Sequence, residues 1–472
     1  MACRCSPRWF CVLAALLLGF AAPGLQAAPE SLPAPVAAAL DRAGLPRDAM
    51  VAVVQELGNG RSRLAWQADE PVNPASLMKL LTTYAALELL GPAWTWKTPV
   101  WLNGSVRDGV LEGDLVIKGS GDPKLVVERL WLLLRRVQQL GVREIRGDIV
   151  LDRSAFVVPD QNPADFDGEA LRPYNVQADA LMLNYKAVGF TITPDPARGV
   201  ALIAPDVPLA GVRADTSVPL APGPCGDWRR ALDADFNDPL RLRFAGSFAA
   251  TCGEKSWPVA YADPGYYNER ALVGLWQEMG GRLSGSVRDG TVPASKPSFE
   301  LASPTLAEVI RDINKFSNNV MAQQLFLTLG LNQRGSGTPE AAREVLHQWA
   351  GERFGDAAQG LVIDNGSGLS RDARLSARLL ARLLQSAWAS PVMPELVSSL
   401  PVSGIDGTLK RSRAAQGRAH LKTGSLRDVA AVAGYVLADS GRRVVVVAIV
   451  NHANAAAAQP AFDALLQWAA GS

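Results

Sequence analysis

The sequence contains little histidine, little cysteine and almost no net charge. Its 472 residues include 3 His and 5 Cys, and the 47 Lys and Arg nearly balance the 46 Asp and Glu. No Cys/His group has the spacing of a metal site, so we expect neither a structural nor a catalytic metal, and nothing in the pattern indicates a cofactor. No basic run is long enough to follow a phosphate backbone, which argues against a nucleic-acid partner.

The sequence also has no N-terminal apolar run of the length that spans a bilayer, for which about 20 residues are needed. The apolar run at residues 10–20 follows Arg4 and Arg8 and precedes a cleavage-like Leu25-Gln26-Ala27. This pattern predicts a signal peptide over residues 1–27, export to the periplasm and at most peripheral membrane association. The alternative is an uncleaved membrane anchor.

Export changes what the cysteines can do. Cys3, Cys5 and Cys11 would leave with the signal peptide, so the mature chain would keep Cys225 and Cys252. These two lie 27 positions apart, each directly before a glycine, in a compartment that favours oxidation. We therefore predict one disulfide between them, with two separate buried thiols as the alternative.

Apolar periodicity divides the mature chain into three parts. A core helix is predicted from Asn73-Pro74 to a stop at Gly91-Pro92. From about residue 98 to 294, short β-like runs alternate with a helix at 126–140. After residue 302 the helical period returns, before a terminal β-hairpin and helix. The sequence thus predicts an α+β protein whose catalytic domain is split by a long β-rich insertion.

One pattern occurs twice within this insertion. Residues 134–151 and residues 275–287 each have the pattern of a helix, a glycine and a strand. The repetition suggests two related substructures, although no clean sequence repeat can be aligned.

Ser76-Leu77-Met78-Lys79 is the only Ser-x-x-Lys in the chain and opens the predicted core helix. A serine hydroxyl needs a base within hydrogen-bond reach to act as a nucleophile. The three histidines, His347, His420 and His452, form no convincing triad motif. Lys79 lies one helical turn from Ser76 and would be that base if burial and nearby cations lower its pKa. Taken alone, the tetrad also fits a capping serine beside a surface lysine.

The only Ser-x-Asn of the chain, Ser317-Asn318-Asn319, lies between two predicted helices. Ser317 would relay a proton to a departing amine, and Asn319 would hydrogen-bond a substrate amide and the lysine of the first motif. Serine and asparagine are also common turn and cap residues, which is the alternative for this motif.

The only Lys-Thr-Gly, at Lys422-Thr423-Gly424, precedes the terminal hairpin and is predicted to lie on an edge strand, where an extended peptide can pair through main-chain groups. Lys422 would supply a cation and Thr423 a hydroxyl for a substrate carboxylate, and Gly424 would permit close approach. Main-chain N–H groups of Ser76 and of the strand near Ser425 would form an oxyanion hole. An ordinary strand start with a surface lysine is the alternative.

The three motifs occur in the order used by penicillin-recognising serine enzymes, with a long insertion between the first and the second. The sequence therefore resembles the D-alanyl-D-alanine carboxypeptidase/endopeptidase family, the class C low-molecular-mass penicillin-binding proteins. The resemblance covers nearly the whole mature chain. Four further stretches carry it: Asn73-Pro74-Ala75-Ser76, Gly119-Ser120-Gly121-Asp122-Pro123, Asp364-Asn365-Gly366-Ser367-Gly368-Leu369-Ser370-Arg371 and Gly404-Ile405-Asp406-Gly407-Thr408-Leu409.

This resemblance implies a split serine DD-transpeptidase/β-lactamase-like catalytic domain with two nested domains inside it. The catalytic domain is expected over residues 28–95 and 296–472. A second domain, over residues 96–185 and 265–295, would be inserted into it, and a third, over residues 186–264, would be nested in the second.

The resemblance also implies the roles of the site residues. Arg371, in the Ser-Arg motif of the family, would help hold the peptide stem or else form a structural salt bridge. Asn184 falls where the inserted domain of the family approaches the cleft, and it is expected to bind substrate. The remaining assignments are Ser76 as the acylated nucleophile, Lys79 as the base, Ser317, Asn319 and Lys422 as proton-transfer and substrate-binding partners, and Thr423, Gly424 and Ser425 as further substrate-binding residues.

Together the motifs predict a serine DD-peptidase that acts on peptidoglycan peptides through an acyl-enzyme and is acylated by β-lactam antibiotics. It would remove D-alanine from stem peptides or cut D-alanyl cross-links. A β-lactamase of the same superfamily is one alternative, although such enzymes usually have a dedicated carboxylate and a much shorter gap between the first two motifs. A wall-binding protein with a vestigial site is the other alternative.

Overall fold

A computed structural model describes residues 31–58 and 60–471 of the chain. The predicted signal peptide and its three cysteines lie outside these residues. The part before the insertion comprises α1 (Ala34–Arg42), β1 (Met50–Glu56), β2 (Ser62–Trp66) and α2 (Met78–Leu90).

Short strands dominate the insertion because its apolar runs are brief and are separated by Gly, Asp and Pro turns. Its helices are α3 (Val127–Gln139), α4 (Trp228–Ala231) and α5 (Tyr267–Glu278). Its strands are β3 (Lys97–Arg107), β4 (Val110–Lys118), β5 (Glu144–Ile145), β6 (Ile149–Asp152), β7 (Ala187–Asp195), β8 (Val200–Pro205), β9 (Arg213–Ala214), β10 (Ser217–Ala221), β11 (Ala234–Asp235), β12 (Arg241–Phe244), β13 (Phe248–Ala249), β14 (Lys255–Ala260), β15 (Arg282–Leu283), β16 (Val287–Asp289) and β17 (Phe299–Ala302).

The part after the insertion is mainly helical and ends with the predicted hairpin and helix. It comprises α6 (Leu306–Lys315), α7 (Asn319–Arg334), α8 (Pro339–Phe354), α9 (Ala377–Trp388), α10 (Met393–Ser399), β18 (Ala419–Leu426), β19 (Val429–Leu437), β20 (Arg443–Asn451) and α11 (Gln459–Ala470). Within the described residues, no helix combines the length and the apolar character that crossing a membrane requires.

The first and last parts of the chain share one antiparallel sheet, in the order β18-β19-β20-β1-β2. Successive side chains of a strand point to opposite faces of its sheet. Val51 and Val53 of β1 therefore join a core that includes α2, whereas Ala52 and Val54 join a core built with α1 and α11. The sheet lies between two helical layers, and α2 is largely buried in one of them.

The insertion contains two larger sheets that share one apolar core. One has the order β15-β5-β4-β3-β17, with β6 and β16 beside it, and the other has the order β13-β10-β8-β7-β14. β5 pairs in parallel with β15, and β6 with β16, so the two predicted helix–glycine–strand patterns lie side by side. Leu134, Phe190 and Trp276 belong to a single hydrophobic cluster, so residues of both predicted inserted domains pack together. The boundaries of those domains stay a prediction.

The predicted disulfide between Cys225 and Cys252 is present. Cys225 follows β10, and Cys252 lies between β13 and β14, so the bond joins two connections of the same sheet. The loop that it closes lies entirely within the insertion, away from the three sequence motifs.

Candidate active site

Ser76 lies in a tight turn, Ala75–Leu77, that directly precedes α2. The sequence predicts a helix that opens at Asn73-Pro74, but the regular helix begins only at Met78. The side-chain Oδ1 of Asn73 accepts a hydrogen bond from the Ala75 N–H at 2.9 Å, and Ala75 has a φ of 46°, which is outside the helical region. The nucleophile is therefore held by local polar contacts rather than by the first turn of the helix.

Two glycines allow neighbouring segments to approach this turn closely. A Cβ at Gly368, whose φ is 78°, would lie 1.9 Å from the Ala75 carbonyl oxygen. A Cβ at Gly424 of β18 would lie 2.8 Å from the Pro74 carbonyl oxygen. Any other residue would clash at these two positions. Because both are glycines, the loop that contains Gly368 and the edge strand β18 can both approach the turn of Ser76.

Lys79 is fully buried, and its Nζ contacts three polar groups of the site. Its Nζ lies 3.0 Å from Ser76 Oγ, 2.6 Å from Asn319 Oδ1 and 2.6 Å from the Ser367 carbonyl oxygen. Burial, followed by the charge of Lys422, lowers the pKa of Lys79 well below its usual value. The amine is therefore shifted toward the neutral form that can accept a proton.

The two acceptors fix the direction of the Lys79 lone pair. Asn319 Oδ1 and the Ser367 carbonyl can only accept hydrogen bonds, so two amine N–H groups are directed to them. The position that remains faces Ser76 Oγ. In the neutral amine this position holds the lone pair, and the Ser76 hydroxyl then donates its proton to Lys79.

Lys422 forms a second lysine–serine pair on the other side of the site. It is fully buried in β18, and its Nζ donates to Ser317 Oγ at 2.9 Å and to the Thr423 carbonyl at 2.6 Å. Burial lowers the pKa of Lys422 to about 7, so both of its protonation states are populated near neutral pH. This pair has the composition of a proton relay.

The middle motif serves both of the roles that its sequence suggests. Asn318 caps α7, since its Oδ1 accepts from the Met321 N–H at 3.0 Å. Ser317, with a φ of 56°, and Asn319 instead direct their side chains to the two catalytic-motif lysines. The turn-and-cap alternative thus accounts for the turn at Ser317 and the cap at Asn318, but not for the side-chain contacts of Ser317 and Asn319 with the two lysines.

The third motif lies on an edge strand, as the sequence predicts. β18 is the first strand of its sheet and pairs with β19 on one side. On its other side, within the part of the chain that the structure describes, only the residues Ala419–Leu421 are paired, with the main chain around Val402, so this side is unpaired from Lys422 onward. The Thr423 hydroxyl lies 2.8 Å from the Thr408 hydroxyl, and Ser425 lines the same cleft as Ser76. The unpaired side of β18 therefore borders the nucleophile.

The cleft has a volume of about 1050 Å³ and is walled partly by the insertion. We call residues 153–186, between β6 and β7, the strap. The strap residues that line the cleft are Asp165, Phe166, Asp167, Gly168, Pro173, Tyr174 and Tyr185.

Within the described ranges, no group of three or more His, Cys, Asp or Glu side chains is placed to hold a metal ion.

Arg371 joins the strap to the catalytic part and forms the predicted salt bridge, while its role in holding the peptide stem stays a prediction. It lines the cleft, its guanidinium lies 4.5 Å from the centre of the Phe166 ring, and its Nη1 lies 3.1 Å from Asp428 Oδ1. The arginine is thus a member of the cleft wall and of a salt bridge at the same time.

Asn184 does not line the cleft, in contrast to the prediction that it binds substrate. Its buried side chain accepts from the Val127 N–H at 3.2 Å and donates to the Ala187 carbonyl at 3.1 Å, so it holds the start of α3. The adjacent Tyr185 lines the cleft instead. Asn184, Tyr185 and Lys186 all have positive φ, a run of left-handed residues that turns Tyr185 toward the cleft.

A buried ion cluster lies within the strap, and the main chain of its central residue joins the strap to the catalytic part. Asp179 Oδ2 lies 2.5 Å from Arg153 Nη2 and 2.7 Å from Lys186 Nζ. Burial alone would raise the pKa of Asp179, but Lys186 and Arg153 hold it below its usual value. Its main-chain N–H and carbonyl bond the side chain of Gln324 at 2.9 and 2.8 Å. Because Gln324 is on α7, which begins at Asn319, the strap is fixed to the helix of the second motif.

Sequence reasoning missed the main-chain acceptor at Ser367 and the strap wall. The run Asn365-Gly366-Ser367-Gly368 was recognised only as a family stretch, although two glycines so close together often mark a tight approach of two segments. No periodic signal identifies Phe166 or Tyr174 as cleft residues, because the strap is irregular.

Comparisons with known proteins agree with this geometry. Residues 32–472 match the D-Ala-D-Ala carboxypeptidase 3 (S13) family. A D-alanyl-D-alanine carboxypeptidase of Actinomadura sp. is 30% identical over 421 residues, which cover 82% of this chain and 75% of that protein.

Solved structures are similar in fold. The crystal structure of penicillin binding protein 4 (dacB) from Haemophilus influenzae has a TM-score of 0.71 and 21% identity, over 91% of this chain and 98% of that one. The same protein in complex with a β-lactam has a TM-score of 0.65 and 22% identity, over 88% of this chain and 92% of that one. These likenesses support the α+β penicillin-binding fold.

Proposed function

The chain belongs to the D-Ala-D-Ala carboxypeptidase 3 (S13) family, and from this premise we propose that it is a periplasmic enzyme that both trims stem peptides and cuts D-alanyl cross-links of peptidoglycan. As a member of the family it is a serine-type DD-carboxypeptidase. The observation that carries the proposed mechanism is the set of three contacts that Lys79 Nζ makes. Two of its partners are oxygens that can only accept hydrogen bonds, and the third is Ser76 Oγ, which can also donate.

Acylation begins at Ser76. Neutral Lys79 accepts the hydroxyl proton while Oγ attacks the carbonyl carbon of the penultimate D-alanine and the carbonyl oxygen becomes an oxyanion. Main-chain N–H groups of Ser76 and of the strand at Ser425 are the proposed donors to that oxyanion. These donors lie on the turn that carries Ser76 and on the edge strand β18, and Gly424 allows the two segments to approach each other closely.

The leaving amine takes its proton through the second lysine–serine pair. As the C–N bond breaks, Ser317 passes its proton to the nitrogen and is reprotonated by Lys422. A pKa of about 7 allows Lys422 to give up and regain a proton near neutral pH. Water then attacks the acyl carbonyl carbon, and the proton that water loses restores Lys422 through Ser317. As the acyl C–O bond breaks, Lys79 returns its proton to Ser76 Oγ, and the shortened peptide leaves as the acid.

The size of the cleft supports cross-link cleavage in addition to the removal of a terminal D-alanine. Its volume of about 1050 Å³ is at the upper end of the roughly 300–1,000 Å³ of pockets for small ligands. A cross-linked substrate has a second peptide in place of the free terminal D-alanine, so it needs this additional space.

Acylation by β-lactams and export complete the proposal. The related H. influenzae protein has been solved with a β-lactam, and such a compound would present its amide carbonyl to Ser76. The predicted signal peptide over residues 1–27 and the disulfide favour an oxidising compartment outside the cytoplasm.

A labelled penicillin tests the nucleophile. We expect a covalent adduct on the peptide that contains Ser76 in the unmodified chain, and none in Ser76→Ala. Ser398→Ala, which removes an exposed serine outside the cleft, is the matched control and should be acylated normally. An adduct on Ser76→Ala would disprove the assignment, and rapid turnover of a chromogenic cephalosporin would favour the β-lactamase alternative.

Purified peptidoglycan tests the substrate. Incubation with the unmodified chain should release D-alanine and convert dimeric muropeptides to monomers, and both products should be absent with Ser76→Ala. Release of D-alanine without loss of dimers would reject the cross-link part of the proposal. An acylated protein that releases neither product would instead support the wall-binding alternative.

A further inference from the structure

The outward side of α3 is an exposed face that the reaction does not use. The residues of this face follow the helical spacing i, i+3, i+4, i+7, i+8 and i+11. Trp131 and Leu132 are 44% and 43% exposed, although both are large and apolar. We call this surface the α3 outer face; its members are Glu128, Trp131, Leu132, Arg135, Arg136 and Gln139.

The exposure of this face is a consequence of how α3 packs. The opposite side of the helix, with Leu130, Leu133, Leu134 and Val137, is buried in the core of the insertion. Those leucines and the valine already satisfy the packing of the helix against its sheets. Trp131 therefore has no role in that core, and its indole remains at the surface.

The arginines of the face have neutral partners only. Arg135 donates to the side chain of Gln138 at 3.2 Å, and Arg136 donates to that of Gln139 at 3.4 Å. Among the described residues neither forms a salt bridge, whereas Arg47, Arg288 and Arg378 are all paired with carboxylates. The outer face thus presents, beside two apolar side chains, two arginines that no carboxylate of the described residues contacts, and its one acid, Glu128, lies in the first turn, two turns before the arginines.

We propose that the α3 outer face binds the surface of an anionic lipid bilayer, with Trp131 and Leu132 in the headgroup–acyl boundary and Arg135 and Arg136 on lipid phosphates. Amphipathic helices with Trp and Leu beside Arg lie in this boundary, and the basic residues add attraction to anionic lipids. Tryptophan in particular favours the level of the headgroups because one edge of its ring is polar.

The shape of the surface favours a bilayer over an acidic protein. Stable protein interfaces bury about 800 Å² on each partner and are centred on a pocket. The α3 outer face is a convex helix of 13 residues with two apolar side chains, which is too small for such an interface but sufficient for weak adsorption to a soft surface. Binding would be peripheral and reversible, and none of these residues lines the catalytic cleft.

Vesicle sedimentation tests the proposal, with the chain from residue 28 onward so that the N-terminal apolar segment makes no contribution. Vesicles of equal parts phosphatidylglycerol and phosphatidylcholine should bind the protein, and vesicles of phosphatidylcholine alone should bind it less. Trp131→Ser/Leu132→Ser should weaken binding about tenfold or more. Arg135→Gln/Arg136→Gln should weaken binding to the anionic vesicles and reduce its sensitivity to salt.

Matched variants separate this proposal from the catalytic one. Leu240→Ser, which removes another exposed leucine from the insertion, should bind vesicles normally, and Ser76→Ala should do so as well. D-alanine release by the α3 variants should be unchanged, which shows that they are folded. Equal sedimentation of the unmodified chain and Trp131→Ser/Leu132→Ser would overturn the proposal. A third outcome is that the unmodified chain binds purified wall polymer but not vesicles, and that the α3 variants lose this binding. The partner of the α3 outer face would then be the wall polymer and not a bilayer.

Discussion

Lysines are buried both in the catalytic cleft and in the strap, and their surroundings are opposite. Lys186 of the strap contacts Asp179 at 2.7 Å, and Arg153 shares the same carboxylate. Among the described residues, Lys79 and Lys422 of the cleft form no salt bridge, and burial lowers the pKa of each. The carboxylate holds the strap lysine in place, whereas the two cleft lysines are shifted toward the neutral amine.

This difference shows how the same residue type serves two purposes. A buried cation with a carboxylate partner is fixed in position, and removal of the partner is strongly destabilising. A buried lysine without such a partner is biased to the neutral amine, which is the form that a base requires. In the proposed mechanism the catalytic lysines have no carboxylate partner, whereas the buried lysine of the strap has one.

The largest expected effect comes from Lys79→Met. The acylation rate should fall about 10²–10⁴-fold because Ser76 loses its base. The free energy of unfolding should change by less than about 2 kcal/mol, since the relief of a buried cation offsets the cost of two unpaired acceptors. Stopped-flow acylation and urea unfolding measure the two quantities.

Lys186→Met is the control for this variant. It also removes a largely buried ammonium but leaves Arg153 on Asp179, so acylation should be reduced far less than in Lys79→Met. Equal losses of acylation in the two variants would remove the functional contrast between the two lysines.

A smaller effect, on stability instead of chemistry, is expected for Asp179→Asn. The change leaves Lys186 buried without its carboxylate and should lower the free energy of unfolding by about 3–5 kcal/mol. Asp406→Asn is the control, because Asp406 pairs with the buried Lys315 but is itself about a third exposed to solvent. Water can partly replace that carboxylate, so the loss should be smaller. Similar losses in the two variants, measured by urea unfolding, would argue against a special role for the strap cluster.

The smallest effect extends the comparison to an acid without a cation in bonding contact. Asp122 is buried, its Oδ1 accepts from the Lys124 N–H at 2.8 Å, and within the described residues its Oδ2 has no hydrogen-bond partner. Burial raises the pKa of Asp122 from 3.8 to about 6. A raised carboxyl pKa means that the folded state binds the proton more tightly, so stability is lost as the pH rises from about 4 through 6.

Asp122→Asn should therefore stabilise the protein above pH 6, by at most about 3 kcal/mol, and should have little effect near pH 4. Thermal unfolding of both proteins across this pH range measures the difference. A variant that is less stable at pH 8 would show that the carboxylate has a favourable partner in the folded protein.

The motifs and the regular elements could be predicted from the sequence because local patterns encode them. The limits of α3 agree with the predicted helix at 126–140 within one residue, and Lys422 lies on an edge strand as predicted. The disulfide could be predicted because two cysteines would remain in the mature chain and the expected compartment favours oxidation. In each case neighbouring residues carry the information.

Contacts through main-chain groups and irregular segments could not be predicted in the same way. The Ser367 carbonyl that orients Lys79 has no side-chain signature, and the left-handed φ of Ala75 delays the start of α2 without a glycine to announce it. Asn184 was placed near the cleft by resemblance, but its side chain holds α3, and Tyr185 reaches the cleft because the chain turns left-handed there.

The order of strands in the catalytic sheet has a consequence for synthesis. β1 leaves the ribosome early, but its neighbour β20 ends at Asn451, and Lys422 is also near the C-terminal end of the described chain. Pairing strands so distant in sequence gives a high contact order, which makes folding slow and late. A chain interrupted before β18 therefore contains Ser76 but has neither Lys422 nor the complete sheet that supports the Ser76 turn.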